Sequence, residues 1–214
     1  MKIGLLGSGN GAQALGAAFI AQGHEVKMGT RDVQKPAVQE WVQKHGAKAS
    51  AGTFAQAAAY GELVLLVVHG SAVQEVLQLA GAANLAGKVV IDVTNPLDFS
   101  GGPPPKLSMG FSTSLGEKVQ ALVPAARVVK ALNTVGLVLV NNPGFSEGKP
   151  DMFICGNDAE AKKTVSRLLD QFGWDTIDLG SIEQSRVLEP MALVWILYGF
   201  SANTWRHAFK LLRS

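Results

Sequence analysis

The chain has 214 residues, 47% of them hydrophobic and 17% charged, with a formal net charge of +2. That length fits one domain, or one domain with a smaller C-terminal lobe, and the apolar fraction supports a full core and excludes a disordered polymer. The cations are scattered rather than massed, so nothing in the charge balance calls for a nucleic-acid partner. A single cysteine, Cys155, rules out an intrachain disulfide and suits a reducing compartment; it reads as a small buried hydrophobe on a strand. No Cys/His grouping has metal-ligand spacing, so no metal is expected. With a strand pattern beginning at Lys2, no signal peptide is expected. The most apolar stretch, Met191 to Phe200, falls well short of the roughly 20 residues of a membrane span. A cytoplasmic protein without membrane contact is expected.

Short apolar runs alternate with amphipathic, small-residue-rich segments. Lys2–Leu6 predicts a buried strand, Gly11–Gln22 a helix ended by Gly23, Glu25–Gly29 a second strand, and Pro36–His45 a helix opened by proline. A short strand near Ala47–Ala49 and a helix over Phe54–Tyr60 follow. Leu63–Val68 is the clearest strand, its unbroken apolar run implying cover on both faces. Helix Ser71–Ala80 and strand Lys88–Val93 continue the alternation, which specifies a parallel sheet wound on both faces. The segment Asp98–Met109, with its Gly101-Gly102-Pro103-Pro104-Pro105 core, predicts a long loop, either a functional flap or an ordered cover. Beyond it come helix Ser114–Leu122, strands Arg127–Leu132 and Asp151–Cys155, helix Ala159–Phe172 and strand Asp175–Asp178. From Gln184 onward the chain reads as helical and aromatic. The fold class is therefore α/β: a Rossmann-type, doubly wound, mostly parallel sheet. Residues 1–214 are expected to form one dinucleotide-binding domain with a C-terminal helical extension from about 184.

The first strand runs into Gly7-Ser8-Gly9-Asn10-Gly11-Ala12 and a helix follows at once, the G-x-G-x-x-A form of the dinucleotide fingerprint. Gly7 permits the tight turn, Gly9 lets the backbone approach a pyrophosphate, and Ala12 is small enough for close helix–strand packing. The helix N-terminus then offers free N–H groups to the phosphates. The second strand ends in Gly29-Thr30-Arg31, with Lys35 four residues beyond Arg31. Thr30 stands where an NAD enzyme usually carries an acid, and the hydroxyl, guanidinium and ammonium suit a 2′-phosphate, so NADP(H) is the expected cofactor. Asp32 complicates this, since a carboxylate there is able to turn toward the ribose instead. At the ends of later strands, Val68, His69, Asn95, Pro96, Asn133 and Thr134 are expected at the nicotinamide end of the pocket. His69 is the candidate catalytic residue, able to position or protonate a substrate, to cap the next helix or to stack on the cofactor.

The stretches LLGSGN (5–10), GTRDVQK (29–35), VIDVTNP (90–96), RVVKALNT (127–134) and MFICGNDAEAKKTV (152–165) resemble the NADP-dependent deazaflavin oxidoreductases and the oxidoreductase domains of six-transmembrane metalloreductases. The resemblance implies hydride transfer between NADP(H) and a deazaflavin, a flavin or a related small-molecule acceptor, with positioning supplying most of the catalysis. It carries the phosphate-binding role to Ser8, Gly9, Asn10, Thr30, Arg31 and Lys35. The loop 98–112 departs from the family pattern where the acceptor would bind. A carbonyl or imine reductase and an NADP(H)-sensing module without turnover are the alternatives. In the C-terminal segment, Leu188, Met191, Ala192, Trp195, Tyr198 and Trp205 recur at helical spacings. They predict an apolar face for an acceptor pocket, through Met191 and Trp195, for a homodimer interface, or for both, with simple packing on the sheet as the alternative.

Overall fold

The computed structural model describes residues 1–212; the last two residues of the expected 1–214 unit lie outside them. The chain order is β1 (Lys2–Leu6), α1 (Asn10–Ala21), β2 (Glu25–Gly29), α2 (Pro36–His45), β3 (Ala49–Gly52), α3 (Phe54–Tyr60), β4 (Leu63–Leu66), α4 (Val73–Ala80), α5 (Ala82–Leu85), β5 (Val89–Asp92), β6 (Leu97–Asp98), β7 (Lys106–Leu107), α6 (Leu115–Leu122), β8 (Arg127–Lys130), β9 (Asp151–Gly156), α7 (Ala159–Gln171), β10 (Asp175–Asp178) and α8 (Ser185–Ala202). Local chemistry fixes several starts. Thr53 and Gln56 form a reciprocal capping box at α3, and Ser114 and Asp158 cap α6 and α7 with their side-chain oxygens.

Eight strands form one sheet in the order β10-β9-β8-β5-β4-β1-β2-β3. Strands β1 to β3 are laid down in one direction; the chain then returns beside β1 for β4 and builds outward the other way. The reversal opens a crevice outside the C-terminal ends of β1 and β4, where ligands of such sheets lie. Along the inner strands, alternate residues face opposite layers. Ile3, Leu5, Leu63, Leu65 and Ile91 join the core beneath α1, α2 and α7, while Leu6, Val64, Leu66 and Val90 join the core beneath α3, α4 and α6. That two-sided burial is why β4 reads as an unbroken apolar run.

The sheet is parallel except where β9 pairs antiparallel to β8, with Val129 opposite Gly156. The link from β8 to β9 contains only a 3-10 turn at Leu137–Leu139. Without a crossover helix to carry it back, the chain re-enters the sheet from the end it left, running the opposite way.

Three local expectations are corrected. Pairing of β4 stops at Leu66, leaving Val67 and Val68 half-buried at the crevice. The Gly/Pro-rich loop contains the two-residue antiparallel ladder β6–β7, anchored where Pro96 O accepts from Ser108 N (2.8 Å) and Ser108 Oγ (3.1 Å). Helix α8 ends at Ala202, because Asn203 adopts a left-handed conformation at φ 49 and the chain turns back so that Trp205 covers Gly199. Trp205 therefore lies outside the helix on which the sequence pattern placed it.

Candidate active site

The crevice is a cleft of about 660 Å³. At its floor the chain leaves β1 through Gly7, whose φ of +138 lies in the region that favours glycine; a side chain there would also run into the Val67 carbonyl. Around Gly9 there is open space, so the backbone is bare to anything in the cleft. Helix α1 begins with no side-chain cap and no acidic residue in its first turn. Its leading amides and the positive end of its dipole are thus available to an anion. Ser8, Gly11 and Ala12 line the same floor; Asn10 is exposed at the helix start and does not.

One wall comes from the end of β2. Ser8 Oγ donates to Thr30 Oγ1 (3.2 Å), and Thr30 Oγ1 accepts from Asp32 N (3.3 Å), so the hydroxyl is held at the base of the wall. The Asp32 carboxylate accepts from Gln34 N (2.9 Å), a local turn that keeps it occupied. Arg31 and Lys35 line the cleft with exposed side chains, and Glu75 of α4 faces Arg31.

The other end is formed where β4, β5 and β8 finish. Val68, His69, Thr94 and Asn95 line it. His69 caps the short turn Gly70–Ala72, its Nδ1 lying 2.9 Å from Ser71 Oγ, which leaves Nε2 as the uncommitted ring nitrogen. Phe99, at the tip of the β6–β7 hairpin, is tilted over His69 at 5.9 Å between ring centroids. Asn95 and Asn133 clasp one another: Asn95 Nδ2 donates to Asn133 O (2.8 Å), and Asn133 Nδ2 donates to Asn95 Oδ1 (3.0 Å) and to Leu188 O (3.0 Å). The buried Asn133 Oδ1 has no partner. Pro96 and Thr134 are buried behind this end and do not line the cleft; they shape it.

Sequence reasoning missed three features. Leu137, from the β8–β9 link, lines the cleft so close above the glycine turn that any side chain at Gly11 would strike it. Glu75 brings a negative charge to a wall read as cationic. The third is a wholly buried ionic cluster in which Lys130 Nζ lies 2.8 Å from Asp92 Oδ2 and 2.9 Å from Glu189 Oε1, and donates to Thr94 O (2.7 Å). Glu189 also accepts from Leu115 N (3.0 Å) and Gly116 N (2.8 Å) at the start of α6, and Asp92 Oδ1 accepts from Thr94 N (2.9 Å) and Oγ1 (2.7 Å). Burial works against the charge on Lys130, but the carboxylates of Asp92 and Glu189 outweigh it and hold the ammonium above its ordinary range. A lysine inside RVVKAL and a glutamate inside an apolar helix were the available signals. The cluster ties α8 into the sheet directly behind Thr94 and Asn95.

Met191 and Trp195 do not line the cleft. Met191 packs on the core layer that also takes Met109 and Val68. Trp195 is buried, packs against Gly136, and exchanges hydrogen bonds with His207: Trp195 Nε1 donates to His207 O (2.9 Å), and His207 Nε2 lies 2.8 Å from Trp195 O. Among the described residues, no group of three His, Cys, Asp or Glu side chains is placed to hold a metal ion, and no helix is long and apolar enough to cross a membrane.

Residues 2–96, which carry the glycine turn and most of the residues lining the cleft, match the family model described as NADP oxidoreductase, coenzyme F420-dependent. The F420-dependent NADP reductase of Methanocaldococcus jannaschii is 31% identical over 215 residues, spanning 94% of this chain and 92% of that one. The crystal structure of a candidate F420-dependent NADP-reductase from Arthrobacter sp. FB24 superimposes with a TM-score of 0.94 at 40% identity, covering 100% of both chains. Metalloreductase STEAP3 of Rattus norvegicus is 29% identical over 192 residues, which are 90% of this chain and 36% of that longer protein.

Proposed function

The chain belongs to the coenzyme F420-dependent NADP oxidoreductase family and is an NADP-dependent oxidoreductase, and on that premise we propose that it transfers a hydride between NADP(H) and a deazaflavin or flavin ring. One observation carries the reading: a single cleft has uncapped helix amides on its floor, a hydroxyl and two cations at one end, and the neutral amide of Asn95 with a histidine at the other. The fit to a phosphorylated dinucleotide is good, since the bare backbone at Gly9 forms a cradle that a side chain would fill.

In this reading the amides of 7–12 hold the pyrophosphate, and Thr30, Arg31 and Lys35 hold the 2′-phosphate. Val68, His69 and Asn95 flank the nicotinamide, with Pro96, Asn133 and Thr134 fixing that end from behind. The Asn95–Asn133 clasp sets the floor under the ring, and Leu137 covers the phosphate end from water. The cofactor supplies the hydride; the residues align two flat rings and exclude solvent between them. The acceptor stacks on the open side beneath the β6–β7 hairpin, where Phe99 and the free Nε2 of His69 are exposed to it. Met191 and Trp195 act one layer back, Met191 behind the hairpin and Trp195 through Gly136 and the Leu137 loop.

The same helix carries an exposed apolar face, Val187, Val194, Leu197 and Tyr198, which suits a two-fold contact between copies of the chain as a homodimer. The test is NADPH oxidation against a panel of a deazaflavin, free flavin mononucleotide, a ketone with an amine, and a ferric chelate. Fastest turnover with the deazaflavin or flavin supports the reading. Turnover confined to the ketone–amine pair overturns it, and NADPH binding without turnover on any acceptor favours a sensing module.

A further inference from the structure

Arg31 is not a free cation. Its Nη1 lies 3.6 Å from Glu75 Oε1, across the cleft from the first turn of α4, and both residues line the cleft. Glu75 is the carboxylate that faces the guanidinium assigned above to the 2′-phosphate, so this inference rests on that assignment. We infer that Glu75 is a specificity-determining residue that competes with the 2′-phosphate for Arg31 and so limits how strongly the enzyme prefers NADP(H) over NAD(H).

The physical argument turns on exposure. The two side chains are 75% and 55% exposed and touch through one long contact. Such a pair contributes little rigidity, so it does not pre-organise Arg31 to any useful degree. A phosphate binds the guanidinium more strongly and through two parallel hydrogen bonds, but it must first displace the carboxylate and then sit near its negative charge. A cofactor with a plain 2′-hydroxyl meets neither obstacle, because it leaves the Arg31–Glu75 pair intact. The carboxylate therefore acts against one cofactor and not the other. The same competition hastens release, since Glu75 recaptures Arg31 as the phosphate leaves.

The experiment titrates NADPH and NADH, by quenching of intrinsic fluorescence, into wild type, Glu75→Gln, Arg31→Ala and the double variant. The charge-neutral glutamine should bind NADPH about two- to five-fold more tightly in low salt, the span set by the worth of an exposed ion pair, with NADH affinity unchanged. That gain should shrink in 0.5 M salt, roughly beyond the reach of exposed charges. It should also vanish in the Arg31→Ala background. Three results overturn the inference: NADPH binding by Glu75→Gln that is unchanged or weaker, an equal gain for both cofactors, or a full gain without Arg31. If Arg31→Ala instead leaves NADPH affinity untouched, it is the assignment of the 2′-phosphate to Arg31 that fails.

Discussion

Replacing Lys130 with methionine keeps most of the side chain's volume and removes the one cation in the buried cluster. Asp92 and Glu189, both fully buried, then face each other without compensation. Each keeps two other hydrogen bonds, Asp92 from Thr94 and Glu189 from the start of α6, so the loss is less than that of two bare charges. Breaking a buried pair in this way costs about 3–5 kcal/mol, against a total stability on the order of 5–15 kcal/mol. For a domain of this size the melting temperature should fall by about 6–20 °C. Thermal unfolding followed by circular dichroism at pH 7 reads this directly. Removing all three charges together, as Lys130→Met with Asp92→Asn and Glu189→Gln, should recover more than half of the loss, because an apolar or neutral cluster of the same shape is tolerated. A Lys130→Met protein within about 3 °C of wild type would refute the reasoning, since such an interval corresponds to only about 1 kcal/mol. A triple variant less stable than the single one would refute it equally.

Arg31→Ala should weaken NADPH binding by about one to two decades while leaving NADH within a factor of about two, as measured by cofactor titration. His69→Asn should retain substantial turnover if the ring only positions the reactants; a loss of several decades in kcat would identify a proton donor instead. Val194→Glu, on the exposed face of α8, should give a monomer in light scattering while leaving NADPH affinity intact, and an unchanged mass would remove that face from the proposed interface. Burial pushes the Cys155 thiol up from its ordinary value near 9 to about 11, so the folded state holds that proton more tightly than the unfolded chain. Stability should therefore be full below pH 9 and decline toward pH 11. Relative to Cys155→Ala, wild type should lose about 2–3 kcal/mol over that interval in urea titrations.

The sheet was legible because its inner strands are apolar on both faces: a run such as LVLL in β4 leaves few alternatives when strands and helices alternate through the first half of the chain. That the glycine turn and the cations following β2 would share one cleft was legible for a related reason, since each group is contiguous in sequence and sits at the C-terminal end of a neighbouring strand. The reversal of β9 was not legible, because direction depends on how the 131–150 link runs in space and not on the strand's own pattern. Nor was the buried cluster, whose members Asp92, Lys130 and Glu189 stand 38 and 59 residues apart and meet only after α8 docks. Its members were hidden in plain view as isolated charges within apolar segments. Helix α8 read as an addition to a finished core, whereas Leu188, Glu189, Ala192 and Trp195 are buried and the helix is part of the folded body. The pairing of Glu75 with Arg31 joins two residues 44 positions apart and likewise follows only from the packing of α4 against α3, which itself lies on β2.

In the proposed function, one cleft aligns NADPH and a flat ring acceptor for direct hydride transfer. The most direct test supplies NADPH deuterated at C4, on either face in separate reactions, together with the proposed deazaflavin, and follows the label by mass spectrometry. Deuterium from one face alone should pass to the acceptor ring, with no label lost to water. Label released to solvent, or transfer from both faces alike, would contradict it.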